Sequence, residues 1–180
     1  MEFLPSEDYY KIISAIAEAI NSVNKNAVYA EMGILVGKTF NVVAPYFQRA
    51  YAIDIDPSVY KFIFANQNLV WVNDTTQNFI TSLNKDIKFD MVFIDADHRH
   101  DASLADFLGI APFVNDNGLI LLHDTYPINE IQTQDYRCSD SYKTAWYIRT
   151  KLNKEYEIVT IPYYYGLSIV RKANKQLLWI

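Results

Sequence analysis

The sequence has 180 residues, of which 51% are hydrophobic, 15% aromatic and 21% charged; this is one domain's worth of chain, apolar enough for a substantial core, and it excludes wholesale disorder. Against 21 Asp and Glu stand 16 Lys and Arg, a formal charge of −5 with no long basic run, so a dedicated nucleic-acid binder is not expected. A single cysteine, Cys138, leaves no intramolecular disulfide or Cys-based zinc site, and with no basic leader or apolar stretch of ~18 residues the expectation is a cytoplasmic protein with no membrane contact.

In chain order, Pro5-Ser6-Glu7-Asp8 supplies cap-like chemistry ahead of Tyr9, Ile12, Ile13, Ile16, Ala17 and Ile20, which fall at helical spacing. Five short apolar runs follow: 27–30, 50–53, 69–72, 91–94 and 119–122. None alternates apolar with polar, the pattern of strands covered on both faces, and spacings of roughly 20 to 30 residues leave room for a crossover helix each time. Residues 141–153 read as a helix with Ala145, Trp146, Ile148 and Leu152 on its apolar face. Residues 157–161 and 167–170 then flank Pro162-Tyr163-Tyr164-Tyr165-Gly166 as a hairpin. The expected fold is an α/β three-layer sandwich around a Rossmann-like, mostly parallel seven-stranded sheet closed by a C-terminal antiparallel hairpin. A single domain is expected over 1–180, with an N-terminal helix in 1–26, a ligand-binding core in 27–125, and a substrate-side loop, helix and hairpin in 126–180.

Ligands of open parallel sheets bind beyond the carboxyl ends of the strands. Here each of the five runs carries a carboxylate at or just past its end: Glu31, Asp54, Asp74, Asp95 and Asp124. One acidic strand end is ordinary turn chemistry, but five at one sheet edge suggest a site. The chain has five glycines where average usage would give about a dozen, yet Gly33 and Gly37 both follow the first run directly. A tight turn and close backbone approach to a ligand would require them there. Asp54 follows Gly33 by 21 positions, near the spacing at which an acid meets a ribose in dinucleotide folds. Glu31, however, would repel a pyrophosphate, and Leu35 stands where the dinucleotide fingerprint needs its second glycine. S-adenosylmethionine meets both conditions, since it carries an ammonium, a sulfonium and a ribose but no phosphate. A P-loop reading of Gly37-Lys38-Thr39 fails because Met32 occupies the place of its first glycine.

Glu31-x-Gly33-x-x-x-Gly37, the Asp54 strand end, and Asp95 after 89–94 resemble the ordered motifs of class I S-adenosylmethionine-dependent methyltransferases. Phe93-Ile94-Asp95-Ala96-Asp97-His98 and Gly118-Leu119-Ile120-Leu121-Leu122-His123-Asp124 are similar to a branch of small-molecule O-methyltransferases. That resemblance implies that Glu31 and the backbone around Gly33 and Gly37 hold the methionine part of the cofactor, and that Asp54 takes the ribose hydroxyls. It further implies that Asp74 and Thr75 border the adenine and that Asp95 lies beside the reaction centre. Ile55 would pack on the adenine face, core packing being its alternative.

In catechol-type relatives a divalent metal is held by an Asp after strand four and an Asp-Asn pair after strand five. Asp95 and Asp124 match, whereas the Asn place is Thr125. Two carboxylates with water could still hold Mg²⁺, and His123 would favour a softer ion; the alternative is that Asp124 caps a turn. Asp95, His98 and His123 are the candidate catalytic residues, either histidine being a base near neutrality or a satisfied structural residue, while His100 reads as solvated. Residues 126–142 would form a substrate lid or an ordinary excursion, and Tyr163–Tyr165 an acceptor wall or hairpin packing. The expected activity is methyl transfer to a small-molecule acceptor, on oxygen by resemblance, with a homodimer a reasonable assembly. The rival is a non-catalytic S-adenosylmethionine-binding or partner protein of the same fold.

Overall fold

The computed structural model of the protein describes residues 8–64 and 68–173. Five parallel strands, β1 (Val28–Met32), β2 (Arg49–Asp54), β3 (Leu69–Asn73), β4 (Phe89–Ile94) and β5 (Val114–His123), are joined by antiparallel β6 (Tyr156–Ile161) and β7 (Leu167–Lys172). They form one seven-stranded sheet in the order β3-β2-β1-β4-β5-β7-β6. The helices are α1 (Tyr9–Val23), α2 (Lys38–Val43), α3 (Thr76–Ser82), α4 (His100–Ile110) and α5 (Tyr142–Lys151).

The period-two geometry of each strand divides its side chains between two apolar layers. Tyr29, Ala50, Ala52, Met91, Phe93 and Leu121 face Ile13 and Ala17 of α1 and Phe40 and Val43 of α2. Ala30, Met32, Ile53, Val92, Ile94 and Leu122 face Phe79, Ile80, Phe107, Ile110 and Ile148 of α3, α4 and α5. Covering both faces explains why the central strands read as unbroken apolar runs. Each fully buried Ile, Leu or Phe contributes about 1.5–3 kcal/mol of transfer free energy. The three-layer sandwich with a closing antiparallel pair is the fold expected of the sequence.

Four local expectations differ from the structure, one being Trp146, expected on the apolar face of the helix in 141–153 but exposed on α5, whose buried residues are Thr144, Ala145 and Ile148. Between β2 and β3 the chain makes a short 3-10 turn (Pro57–Phe62), started by Asp56 accepting from the Ser58 amide at 2.8 Å, where a crossover helix was expected. Strand β3 is half-buried from Leu69 to Val72 and exposed at Asn73, as suits the edge position that its place in the order dictates, so it is not covered on both faces. Asp8 precedes α1, but its carboxylate takes the Lys11 ammonium at 2.9 Å and makes no cap to the helix amides. Pro5, Ser6 and Glu7 lie outside the described residues.

Candidate active site

The strand order reverses at β1, which has β2 on one side and β4 on the other, and the ligand crevice of a doubly wound sheet opens at that reversal. The loop leaving β1 runs against the end of β4. Gly33 has φ +92°, and a Cβ there would lie 2.2 Å from the Asp95 carbonyl oxygen, so no side chain fits. Gly37 has φ +69° and sends its amide to the Ile34 carbonyl at 2.8 Å, closing the turn into α2. Leu35, in the second glycine's place, also sits in the left-handed region (φ 53°) with its side chain 76% exposed. Asp54 holds this loop: one carboxylate oxygen accepts from the Ile34 and Leu35 amides (2.9 and 3.2 Å), the other from the Asp56 amide (2.9 Å). Any ribose hydroxyl reaching Asp54 would share those oxygens.

Glu31 points to the α1/α2 face with Tyr29, two residues earlier, whose hydroxyl donates to it at 2.5 Å. Burial pushes the Glu31 carboxyl well above its ordinary range, against the opposing effect of the Tyr29 hydroxyl and the Phe40 amide. A cation beside it would restore the ionised form.

Asp95, His98, His123 and Asp124, gathered from the ends of β4 and β5, form one cluster. His98 Nε2 lies 3.2 Å from Asp124 Oδ2 and 3.5 Å from Asp95 Oδ1. His123 Nδ1 lies 3.2 Å from Asp95 Oδ1 and 3.3 Å from Asp124 Oδ1. The outer nitrogens face backbone carbonyls: His98 Nδ1 that of Arg137, and His123 Nε2 that of Tyr164 at 3.2 Å. Burial raises Asp95, but the charge and hydrogen bonds of His123 and then His98 outweigh it and hold this carboxyl well below the usual range. Asp124, more deeply enclosed and beside Asp95, is pushed up. The Asp95 hydrogen bond, with the charge of Asp124, raises His98 to about 9 despite its partial burial. Burial lowers His123, yet Asp95 more than compensates and the net direction is up.

Donor atoms of Asp95, His98 and Asp124 all lie within 4.8 Å of one another, so the expected carboxylate pair gains a nitrogen as a fit for a divalent ion. Thr125 is turned away: its hydroxyl accepts from Ser168 on β7 at 2.8 Å. Asp124 holds a left-handed backbone (φ 58°), the kind of strain that concentrates at functional sites. It is secured from the segment after β5, Ser141 Oγ donating to its carbonyl at 2.8 Å and the Cys138 thiol to Oδ1 at 3.6 Å.

The other expected residues lie further out. Asp74 accepts from the Thr75 amide and Asn78 Nδ2, both at 2.8 Å, and Thr75 caps α3 through Asn78 N at 3.1 Å. Both stand at the end of β3, two strands from β1. Ile55 is 70% exposed, which removes the core-packing alternative. His100 is half-buried, not solvated, with its amide on Asp140 (2.6 Å) and its ring on Thr144 Oγ1 (3.1 Å), away from the cluster.

The sequence reading missed Tyr9. From the first turn of α1 its ring stacks on His123 (centroids 4.1 Å) and beside Tyr164 (5.7 Å), and its hydroxyl reaches Asp95 Oδ2 at 3.5 Å. Burial first, then the Asp95 charge, pushes its phenol far up, so it serves as a neutral donor. In the sequence Tyr9 showed only as the first apolar position of a helix. An open surface depression of about 490 Å³ lies in the segment after β5, lined by Thr125, Tyr126, Ile128, Glu130, Thr133 and Tyr142 among others and by none of the four cluster residues. Among the described residues no helix is long and apolar enough to cross a membrane.

No curated protein matches the sequence. Among solved structures the fold is similar to an O-methyltransferase from Bacillus cereus in complex with SAH (13% identity, TM-score 0.75, covering 93% of this chain and 82% of that one). It is also similar to the O-methyltransferase TomG of Streptomyces achromogenes, involved in tomaymycin synthesis and bound to SAM (13%, TM-score 0.72, 94% and 81%). A third is an rRNA methylase from Streptococcus thermophilus (10%, TM-score 0.66, 97% and 99%). At these identities the likeness concerns the fold alone. Residues 30–125, more than half of the chain, match the model of a family described as a methyltransferase domain. That match takes in the glycine loop, the Asp54 strand end and the whole Asp95–Asp124 cluster, and the chain belongs to this methyltransferase family.

Proposed function

We propose that the protein transfers a methyl group from S-adenosylmethionine to an oxygen of a small-molecule acceptor. The observation that carries this reading is the glycine loop seated against the end of β4, next to the Asp95–His98–His123–Asp124 cluster. In this reading Glu31 and the loop backbone hold the methionine part, Asp54 the ribose, and Asp74, Thr75 and exposed Ile55 the adenine end. The acceptor oxygen attacks the methyl carbon in line, the carbon–sulfur bond breaks, and its electron pair leaves on sulfur as S-adenosylhomocysteine. Alignment and exclusion of water do most of the work in such a displacement. Asp95, His98 and His123 are the candidate catalytic residues for taking the acceptor's proton, and because Asp95 raises His98 to about 9, that ring becomes a free base only as the pH approaches this value. A divalent ion between Asp95 and Asp124 would favour the ionised acceptor oxygen.

Small acceptors are favoured by the net charge of −5, which opposes polyanions. The methyltransferases TomG and that of Bacillus cereus, both described as O-methyltransferases, support oxygen as the target. The test is incubation with methyl-labelled S-adenosylmethionine and a panel of phenols, sugars, small acids and ribosomal RNA, with and without divalent ions. Label on a small hydroxylated acceptor is expected. Cofactor binding with no transfer to any acceptor would turn the reading to the non-catalytic alternative, and label on RNA would overturn the small-molecule assignment.

A further inference from the structure

Two segments that are tied to each other border the outer side of the cluster. The segment after β5 meets the turn between β6 and β7 where the Tyr126 amide donates to the Tyr165 carbonyl at 2.6 Å and the Thr125 amide to the Gly166 carbonyl at 3.3 Å. Each also reaches a cluster histidine through a main-chain carbonyl, Arg137 at His98 and Tyr164 at His123. Four of the five non-glycine residues with left-handed backbone among the described residues lie here: Asp124, Ser139, Tyr164 and Tyr165. Backbone strain of that kind persists only where the surroundings fix it, and it concentrates at ligand clamps.

The side chains of Arg137 and Tyr165 bridge these two segments. Nη1 of Arg137 donates to the Tyr165 hydroxyl at 3.0 Å, and the exposed Tyr136 ring lies over the guanidinium at 5.5 Å. Tyr165 accepts there, so its own hydrogen can go to a ligand oxygen. Lys11, Arg99, Lys143, Arg171 and Lys172 each meet a carboxylate, whereas half-buried Arg137 meets none among the described residues. Its Nε is buried without a hydrogen-bond partner. An unpaired buried donor on a charged group needs a reason, and a guanidinium is shaped to give two parallel N–H bonds to one carboxylate.

We infer that Arg137 and Tyr165 form an anion site for the acceptor, so that the molecule methylated is a hydroxylated carboxylic acid. The use of this site rests on the methyl-transfer reading; its geometry does not. In the occupied site Tyr136 turns aside and the carboxylate spans Nε and Nη2 of Arg137, while Nη1 keeps Tyr165 and the Tyr165 hydroxyl donates to the ligand. Anchored beside both histidine contacts, the acceptor directs its hydroxyl towards the cluster. There the hydroxyl oxygen takes the methyl carbon, the carbon–sulfur pair stays on sulfur, and the hydroxyl proton passes to the cluster. A monoanion matches the single cation. Lys143, the next cation along the segment, is held by Asp140 at 2.9 Å, which leaves no second positive charge for a phosphate dianion.

Binding is read by calorimetry with and without S-adenosylhomocysteine, and methylation by label from S-adenosylmethionine. The probes are para-hydroxyphenylacetate with its amide, lactate with lactamide, and para-hydroxyphenyl phosphate. In the first pair a methylene keeps the phenol equally acidic in acid and amide, so a difference reports on the carboxylate alone. At least one acid is expected to bind about 10- to 100-fold more tightly than its amide, the worth of a charge-assisted hydrogen bond. Arg137→Gln should remove that preference in Kd and KM, with kcat and amide binding little changed, since the variant keeps the main-chain carbonyl that faces His98. Arg137→Lys should recover only part of it, because an ammonium lacks the fork. Tyr165→Phe should cost roughly 3- to 10-fold. Should Arg137→Gln not fold, the wild-type acid and amide comparison and Arg137→Lys still decide. Equal binding of acid and amide, tighter binding of the phosphate, equal losses for acid and amide in Arg137→Gln, or no acid bound at millimolar concentration would overturn the inference. Retained S-adenosylhomocysteine binding in those cases leaves the methyl-transfer reading standing. Acid binding that depends on Arg137 in a protein that takes no S-adenosylhomocysteine would do the reverse.

Discussion

At Gly33 two independent constraints meet, a left-handed φ of +92° and a β4 carbonyl 2.2 Å from where a Cβ would sit. Gly33→Ala must therefore either move the loop or displace the end of β4. A non-glycine residue at such a φ costs about 1 kcal/mol by itself. With the clash added, chemical denaturation should show a loss of more than about 2 kcal/mol, and S-adenosylhomocysteine binding should disappear in calorimetry. Glu31 gives the opposite combination. A glutamine there still accepts from Tyr29 and Phe40 but cannot match an ammonium. Glu31→Gln is expected to leave folding stability unchanged or slightly raised, because burial already disfavours the charge. S-adenosylhomocysteine affinity should fall roughly 10- to 100-fold, the worth of one charge-assisted hydrogen bond. Unchanged affinity would remove Glu31 from the cofactor site.

Among the elements, α3 and its contact with α4 carry two roles that can be separated. Thr75 caps α3 through the Asn78 amide, so Thr75→Ala should cost about 1 kcal/mol whatever the ligand does. If Thr75 also borders the adenine, cofactor affinity drops beyond what the stability loss accounts for; calorimetry well below the melting range makes the distinction. Asp106 on α4 is buried and accepts from Thr76 Oγ1 (2.6 Å) and Gln77 Nε2 (2.7 Å), yet burial pushes its carboxyl up. The folded state then holds a proton that the unfolded chain releases above about pH 3.9. Stability falls as pH rises from that value through the raised folded value, and the loss is complete above it. Asp106→Asn keeps the two accepted hydrogen bonds and should flatten this slope in denaturation curves taken between pH 4 and 8.

The elements themselves were legible because their signals are local. Both-faced burial makes 91–94 and 119–122 continuous apolar runs, and the carboxylate after each run marks the sheet edge. What the sequence did not carry is non-local. Tyr9 reaches Asp95 across 86 positions, and the Arg137 carbonyl meets His98 across 39. No periodicity encodes either contact. Nor did the recurrence of an acid after each of the five runs reveal their division into Glu31 with Tyr29, Asp54 with the loop, Asp74 at the edge strand, and Asp95 with Asp124 in the cluster; strand order and strand face decide that.

For the molecule as a whole, the site is assembled from parts that fold together. The loop after β1, the end of β4, the segment after β5, the hairpin tyrosines and the first turn of α1 all converge on Asp95 or its neighbours. A ligand that bridges the loop and the cluster binds only when these parts are in place, so its binding free energy adds to the stability of the entire domain. At a concentration 100 times its dissociation constant, S-adenosylhomocysteine should stabilise the protein by ~2.7 kcal/mol. In a chain of this length each kcal/mol raises the melting temperature by about 2–4 °C, so a shift on the order of 5–11 °C is expected. ATP and NAD should give none, because buried Glu31 and the Asp54-bound loop offer nothing to a phosphate chain. The Gly33→Ala protein should show no shift with either class of ligand. A shift with ATP and none with S-adenosylhomocysteine would mean that the crevice at the β1–β4 reversal selects phosphates, and the assignment of Glu31 to an ammonium would fall with it.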